Sequence, residues 1–495
     1  MVRLRKIITF CQKPNFLLGL ILLAFFLKGL LLVSVFPIFG GQDESRHYNT
    51  IQYLAEPKEK TWPITVQTKE QATAQKEAQD KDDLATYRYS QEIQNTAIAT
   101  DTDALRGDIF NTIAFSENSQ GLNENEINAH NWKPYNFVSP ADMVSGTVFY
   151  HKLGTLIEKT FATESILVRF YLLRIFSVLL GTLVILLAYL TAKKMGFSER
   201  HSLLLTAIIS FQPKFSFYYS NINYDVLLIL MFALFTYAGI LTLKDGPNWK
   251  NIALLVFSIF ISRATKPTGT ILLVVFIFLL VYLLYKKFAV RVKCQVSPYS
   301  ILAVTLSGVI AFALITLSLD LTNLGEIASA SGAYLGKSLT LGRIALSART
   351  YWGTLGWTNS FFLDYAVNFI WLVEFFSLIG LGFFFFGKTE KPKFLPEKKY
   401  LAFLVGMIIA LQLGIRVADW SIFQVLGRLE IGAPGRYFLP NLTAHIILVF
   451  SGLGMLFYRF KKETYFDNSL LLGAILMLAF SLYLIFDVII FRFYL

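Results

Sequence analysis

The local sequence best suited to chemistry in this 495-residue chain is Gly40-Gly41-Gln42-Asp43-Glu44-Ser45-Arg46-His47. It follows an apolar run, Phe16 to Phe36, that is long enough to cross a bilayer, so it stands where a helix leaves the membrane. The two glycines free the backbone to turn, and Asp43 is then placed to cap a short helix reaching about Leu54. A carboxylate at a helix N-terminus stays ionised near neutral pH. It can accept a proton from an attacking hydroxyl or, together with Glu44, hold a divalent cation such as Mg or Mn. The plainer role for Asp43 is a helix cap and nothing more. His47, one turn further on, is a candidate contact for a sugar acceptor or simply a surface residue.

A set of cations stands at the same expected face. Arg263 and Lys266 flank the break in Ser262-Arg263-Ala264-Thr265-Lys266-Pro267, and Arg436 with Tyr437 opens the tenth apolar stretch in Gly435-Arg436-Tyr437-Phe438-Leu439-Pro440. Charges near membrane depth are costly and call for partners. A lipid phosphate at the headgroup boundary is a suitable one, because a guanidinium binds two of its oxygens and an ammonium adds a point charge. Snorkelling at helix ends is the alternative. Asp225, in Ser220-Asn221-Ile222-Asn223-Tyr224-Asp225, either pairs with one of these cations or caps the helix that follows. Lys28 lies inside the first apolar run, where it must snorkel or find a partner.

The elements that position these groups are membrane helices. With 55% hydrophobic residues arranged in long runs, the chain carries more apolar surface than a soluble fold buries. No alternating barrel pattern appears, so the expected class is all-α, polytopic, with about eleven spans. They fall near 16–36, 168–192, 201–219, 223–243, 249–262, 268–285, 299–319, 367–387, 400–416, 436–458 and 468–490. The stretch 249–262 is short enough to be re-entrant. The division is thus 1–36, an N-terminus and first span; 37–166, a large outer loop with the acidic motif; 167–319, spans two to seven; 320–366, a second outer loop; and 367–495, spans eight to eleven.

The net charge of +12 resolves by compartment. The loop 37–166 holds eleven Lys and Arg against nineteen Asp and Glu, whereas the short loops near Lys193, Lys286, Lys391 and Lys461 are basic. By the positive-inside rule these short loops are cytoplasmic, the N-terminus is inside and the C-terminus outside. Lipid headgroups, not nucleic acid, are the partner of this charge. Cys11 and Cys294 both fall on the cytoplasmic side, so neither a disulfide nor a thiolate metal cluster is expected. The first run lacks a small-x-small cleavage site and reads as an uncleaved anchor. Residues 57–130 read as a solvated helical or partly disordered excursion. Lys337 to Trp352 is amphipathic and suits the interface plane, with Trp352 and Trp357 as anchors and as candidate sugar contacts.

Gln42-Asp43-Glu44-Ser45-Arg46-His47 resembles the P-D-E-x-x-H signature, after the first span, of a bacterial family of multi-pass envelope proteins catalogued only as a domain of unknown function. The likeness continues through Ser220 to Asp225, Lys266-Pro267, Tyr351 to Thr358 and Gly435 to Pro440, in the family's order. This chain has Gln42 where that family usually has Pro. The family in turn resembles the GT-C superfamily of membrane glycosyltransferases. The resemblance implies inverting, single-displacement transfer of a sugar from a polyprenyl-phosphate donor to an envelope glycan or glycolipid, at the outer face of a bacterial plasma membrane. It also implies Asp43 as base and Glu44 as its neighbour or a metal contact. Competing classes are a flippase of lipid-linked saccharides, which calls for repeats and a midplane polar path that the sequence lacks, and a non-catalytic envelope assembly protein.

Overall fold

Long apolar runs satisfy their own backbone hydrogen bonds only as helices, and a computed structural model of the protein has them so. It describes residues 13–56, 87–90, 92–93, 95–96, 132–135, 148–291, 332–355, 364–387, 391–426, 429 and 434–490. Among these residues eight helices are long and apolar enough to cross a membrane. They are α1 (Pro14–Val35), α4 (Ile166–Met195), α7 (Asp225–Asp245), α9 (Ile271–Arg291, entered through a 3-10 turn at Pro267–Thr270), α11 (Asp364–Phe386), α12 (Lys398–Leu426), α13 (Leu442–Arg459, entered through a 3-10 segment at Gly435–Asn441) and α14 (Glu463–Tyr483, continued as π-helix over Leu484–Ile490). The protein is a multi-pass helical membrane protein.

Shorter helices complete the frame: α2 (Glu44–Ala55), α3 (Phe149–Thr160), α5 (Glu199–Phe211), α6 (Pro213–Tyr219), α8 (Trp249–Thr265) and α10 (Leu341–Trp352). Two expected spans differ from expectation. The stretch 201–219 is broken into α5 and α6 at Gln212, because Pro213 has no N–H to continue the ladder. Gln212 caps the new helix by accepting from the Phe215 N–H. The stretch 249–262 extends to Thr265, 17 residues, or roughly 26 Å at 1.5 Å per residue. The span expected at 299–319 lies outside the described residues.

Helix α7 is the most enclosed of the long helices and packs against α4 and α8. By contrast Leu20, Leu23 and Leu27 of α1, and Phe369, Phe375 and Leu378 of α11, are exposed, as lipid-facing positions should be. Lys28 neither snorkels nor pairs with an acid. It is buried and donates to the Ser210 carbonyl at 2.8 Å and to Ser481 Oγ at 3.3 Å, joining α1, α5 and α14. A two-stranded antiparallel ladder pairs β1 (Tyr87–Ser90), inside the 57–130 excursion expected to be helical or disordered, with β2 (Trp132–Tyr135), just beyond it. Its aromatic residues are strand formers.

Candidate functional site

Helix α2 starts at the expected place. Asp43 occupies its N-cap position in the left-handed region, φ 58°, but its side chain makes no capping bond. Aspartate tolerates this conformation better than most residues. The carboxylate is therefore not taken up by the helix end. It is about one-third exposed, and its Oδ2 lies 3.8 Å from the Arg436 guanidinium.

Glu44 points the other way. It is fully buried, and Arg174 of α4 grips it through two bonds, Nε to Oε1 at 2.8 Å and Nη2 to Oε2 at 2.7 Å. The backbone N–H groups of Ile222 and Gly41 donate to the same carboxylate at 3.0 and 3.1 Å. Arg174 also donates to the Phe36 and Pro37 carbonyls, each at 2.8 Å, which answers orphan acceptors at the end of α1. Gly41 is needed for space rather than for a special φ, since a Cβ there would sit 2.7 Å from Asn221 Oδ1 and 2.9 Å from Glu44 Oε2. Gln42 accepts from the Tyr218 hydroxyl at 2.9 Å. The node fixes the turn that aims Asp43.

Opposite Asp43 stand the cations. The Lys266 ammonium contacts Asp225 Oδ1 at 2.6 Å and lies over the rings of Tyr224 and Tyr437, 4.5 and 4.9 Å from their centroids. Asp225 thus pairs with a cation instead of capping α7. Arg436 reaches the Tyr437 hydroxyl at 3.3 Å, and its buried Nε has no partner among the described residues. The guanidinium retains hydrogen-bonding capacity for a ligand.

Other expected residues fall elsewhere. Arg263 is exposed in the last turn of α8 and is not brought into this cluster. Trp352 is buried against His445 rather than set at the interface as an anchor, because the end of α10 turns into the bundle to pack on the 3-10 segment. Trp357 lies outside the described residues. His47 is buried, its Nδ1 3.0 Å from His151 Nε2, with the Tyr224 ring edge-on at 4.6 Å. Burial first, then nearby His151, Arg46, Lys266 and Arg436, hold His47 well below its ordinary pKa. Burial and Arg46 lower His151 to about 3.

Three residues that sequence reasoning passed over complete the frame. Arg174 and Arg169 sit inside an apolar run, which was itself the signal. Arg169 binds both Glu92 and Glu158, and Gln52 donates to Glu92 at 2.7 Å, so part of the 37–166 excursion is tied down onto α2 and α4. His151 carried no local signal, because its partner is 104 residues away.

A divalent cation does not fit these groups well. Glu44, the expected second ligand, has both oxygens on Arg174, and no group of three or more His, Cys, Asp or Glu suited to a metal occurs among the described residues.

Residues 152–324, about a third of the chain, match the family model for dolichyl-phosphate-mannose-protein mannosyltransferase. The matched stretch carries Arg174, Asn221 to Asp225 and Lys266, but neither Asp43 nor Arg436. No curated protein and no solved structure gives a significant match. The family match supports a membrane glycosyltransferase of the GT-C type.

Proposed function

We propose that this protein transfers a sugar from a polyprenyl-phosphate donor to a cell-envelope glycan or glycolipid, at the face of the membrane where Asp43 lies and which we read as the outer one. The observation that carries this reading is the loose approach of Asp43 to Arg436, 3.8 Å, with Lys266 on the neighbouring Tyr437 ring. A carboxylate beside two cations matches the two charges that a single displacement must handle. Asp43 takes the proton of the acceptor hydroxyl as its oxygen attacks the anomeric carbon. The bond from that carbon to the phosphate oxygen breaks, its electron pair leaves with the phosphate, and Arg436 and Lys266 stabilise the resulting charge. Attack opposite the leaving group inverts the anomeric centre. Asp225 holds Lys266 in place, and Glu44 serves as a positioning residue through Arg174. The likeness of Gln42 to His47 to the envelope-protein signature supports the same assignment of Asp43.

The test is transfer from a panel of synthetic polyprenyl-phosphate sugars to envelope glycans. Asp43→Asn should lower transfer by about 10²- to 10⁴-fold, the usual weight of a general base, with the protein still folded. Unchanged transfer would remove Asp43 from the chemistry. Arg436→Ala should raise KM for the donor more than for the acceptor, and equal effects on both would argue against a phosphate at Arg436. A flippase would instead move the lipid-linked sugar between leaflets of a liposome with its chemistry intact.

A further inference from the structure

The Gly435–Asn441 segment winds with three residues per turn, so side chains three apart share a face. Arg436 and Tyr437 turn toward Asp43 and Lys266. Phe438 and Asn441 line a different chamber, of about 460 Å³.

That chamber holds ionisable groups outside the cluster of Asp43, Lys266 and Arg436. Glu374 Oε1 lies 3.1 Å from His445 Nε2, and the Tyr351 hydroxyl lies 2.8 Å from His445 Nδ1, so these three satisfy one another. Two polar atoms are left over. Arg416 Nη1 and Asn441 Oδ1 are both buried with no hydrogen-bond partner among the described residues. The Asn441 amide is oriented by Nδ2, which donates to the Met407 carbonyl at 2.7 Å, so Oδ1 is its open end. Unmade bonds at such atoms cost free energy until a ligand supplies an anionic oxygen to one and a hydroxyl to the other.

Trp352 and Glu374 also border an apolar groove of about 1060 Å³ between α11, α13 and α14. Its α14 wall runs from Ser469 to Tyr483, roughly 21 Å at 1.5 Å per residue. The joined shape is that of an amphiphile, with a hydroxylated, anionic head and an apolar chain.

We propose that the chamber and groove bind the acceptor, and that the acceptor is a lipid-linked glycan phosphate. Its phosphate meets Arg416, a sugar hydroxyl donates to Asn441, and its chain lies in the groove. This rests on the transferase reading above and narrows the acceptor from any envelope glycan to one anchored in the membrane. Charge selects the occupant, since Glu374 is engaged by His445 while Arg416 is open. Arg436 of the 3-10 segment and Arg416 of α12, which lines the chamber with Phe438 and Asn441, thereby serve two lipids, the donor and the acceptor.

The experiment uses the full-length protein in nanodiscs, a photoreactive prenyl-phosphate glycan probe, a neutral prenol probe and a photoreactive phosphatidylglycerol. Donor use is followed separately, as prenyl phosphate released from a synthetic prenyl-phosphate sugar. Arg416→Gln removes the open charge, and Gly473→Phe fills the groove from a position where a Cβ meets nothing nearer than Ile208 Cδ1 at 4.0 Å. Each should cut labelling of α11, α13 and α14 by the glycan probe about tenfold, the equivalent of one charge-assisted bond or a blocked chain site. Each should also raise KM for a lipid-linked acceptor while leaving the donor KM unchanged. Phosphatidylglycerol labelling as strong as the glycan probe would hand the groove to bulk lipid and overturn the proposal. A raised donor KM in Gly473→Phe would give the groove to the donor chain and overturn it equally. Absence of donor turnover in the wild type would sink the transferase reading, and the labelling contrast would still decide the binding site.

Discussion

The two sides of the acidic motif are built on opposite terms. Below it, Glu44 and Arg174 lie fully buried, with every carboxylate oxygen and most guanidinium donors bonded. Above it, Asp43 and Arg436 stand 3.8 Å apart and partly exposed, with Arg436 Nε open. Adjacent acids in the sequence therefore have separate duties. One gives the turn its rigidity, and the other makes no capping bond and stays partly exposed beside Arg436. Precise aim and open bonding capacity are difficult to combine in a single group, and the chain divides them between two.

If that contrast is right, the lower node should be by far the more sensitive to mutation. Arg174→Gln leaves the Glu44 charge buried with its guanidinium gone, which should cost about 3–5 kcal/mol and abolish a stable detergent-purified protein. A variant with a near-normal thermal midpoint would show that the node is not what fixes the turn. Next comes Gly435→Ala. A Cβ there would sit 1.9 Å from the Ser347 carbonyl oxygen and 2.4 Å from the Tyr351 nitrogen, and neither backbone atom can yield cheaply. A loss of about 1–3 kcal/mol is expected, read as a lowered midpoint together with weakened donor use, since Arg436 shifts with the backbone.

The His47–His151 pair sharpens the comparison along pH. Both are held below their ordinary pKa, His151 at about 3, so the unfolded chain takes up protons that the folded chain refuses. Their contribution is full above about pH 6.5 and is lost as pH falls below it, for His151 down to about 3, by up to roughly 1.4 kcal/mol per unit for each group. The thermal midpoint should fall below pH 6.5 in the wild type and fall less in His151→Phe; parallel profiles would dissociate the pair from acid lability. The smallest effect belongs to the upper side. Asp43→Asn should move stability by no more than about 0.5 kcal/mol, as expected of a partly exposed residue without a capping bond. A large drop in its midpoint would make Asp43 structural after all.

Hydropathy made the frame legible, because eight expected spans coincide with helices of the right length. The approach of Asp43 and Arg436 was legible too, since each stood at a span end on the same face. What stayed hidden was pairing over distance. Glu44 lies next to Asp43 in sequence, and only the position of Arg174, 130 residues on, decides that it turns inward. The break at Gln212 was signalled by Pro213 yet outweighed by the apolar run around it. Glu374, Arg416 and His445 were ionisable residues within apolar stretches, but their convergence depends on the crossing of three helices that share no local pattern.

The bond from Lys28 to Ser481 joins the first long helix to the last. During synthesis the ammonium enters the bilayer hundreds of residues before the serine hydroxyl exists, and desolvating an unmatched charge is costly. Its first lasting partner is the Ser210 carbonyl of α5 at 2.8 Å, and the contact is completed only when α14 brings Ser481. A chain lacking α14 would keep the Ser210 bond of Lys28 and lose the one to Ser481, leaving part of the ammonium's hydrogen-bonding capacity unmet.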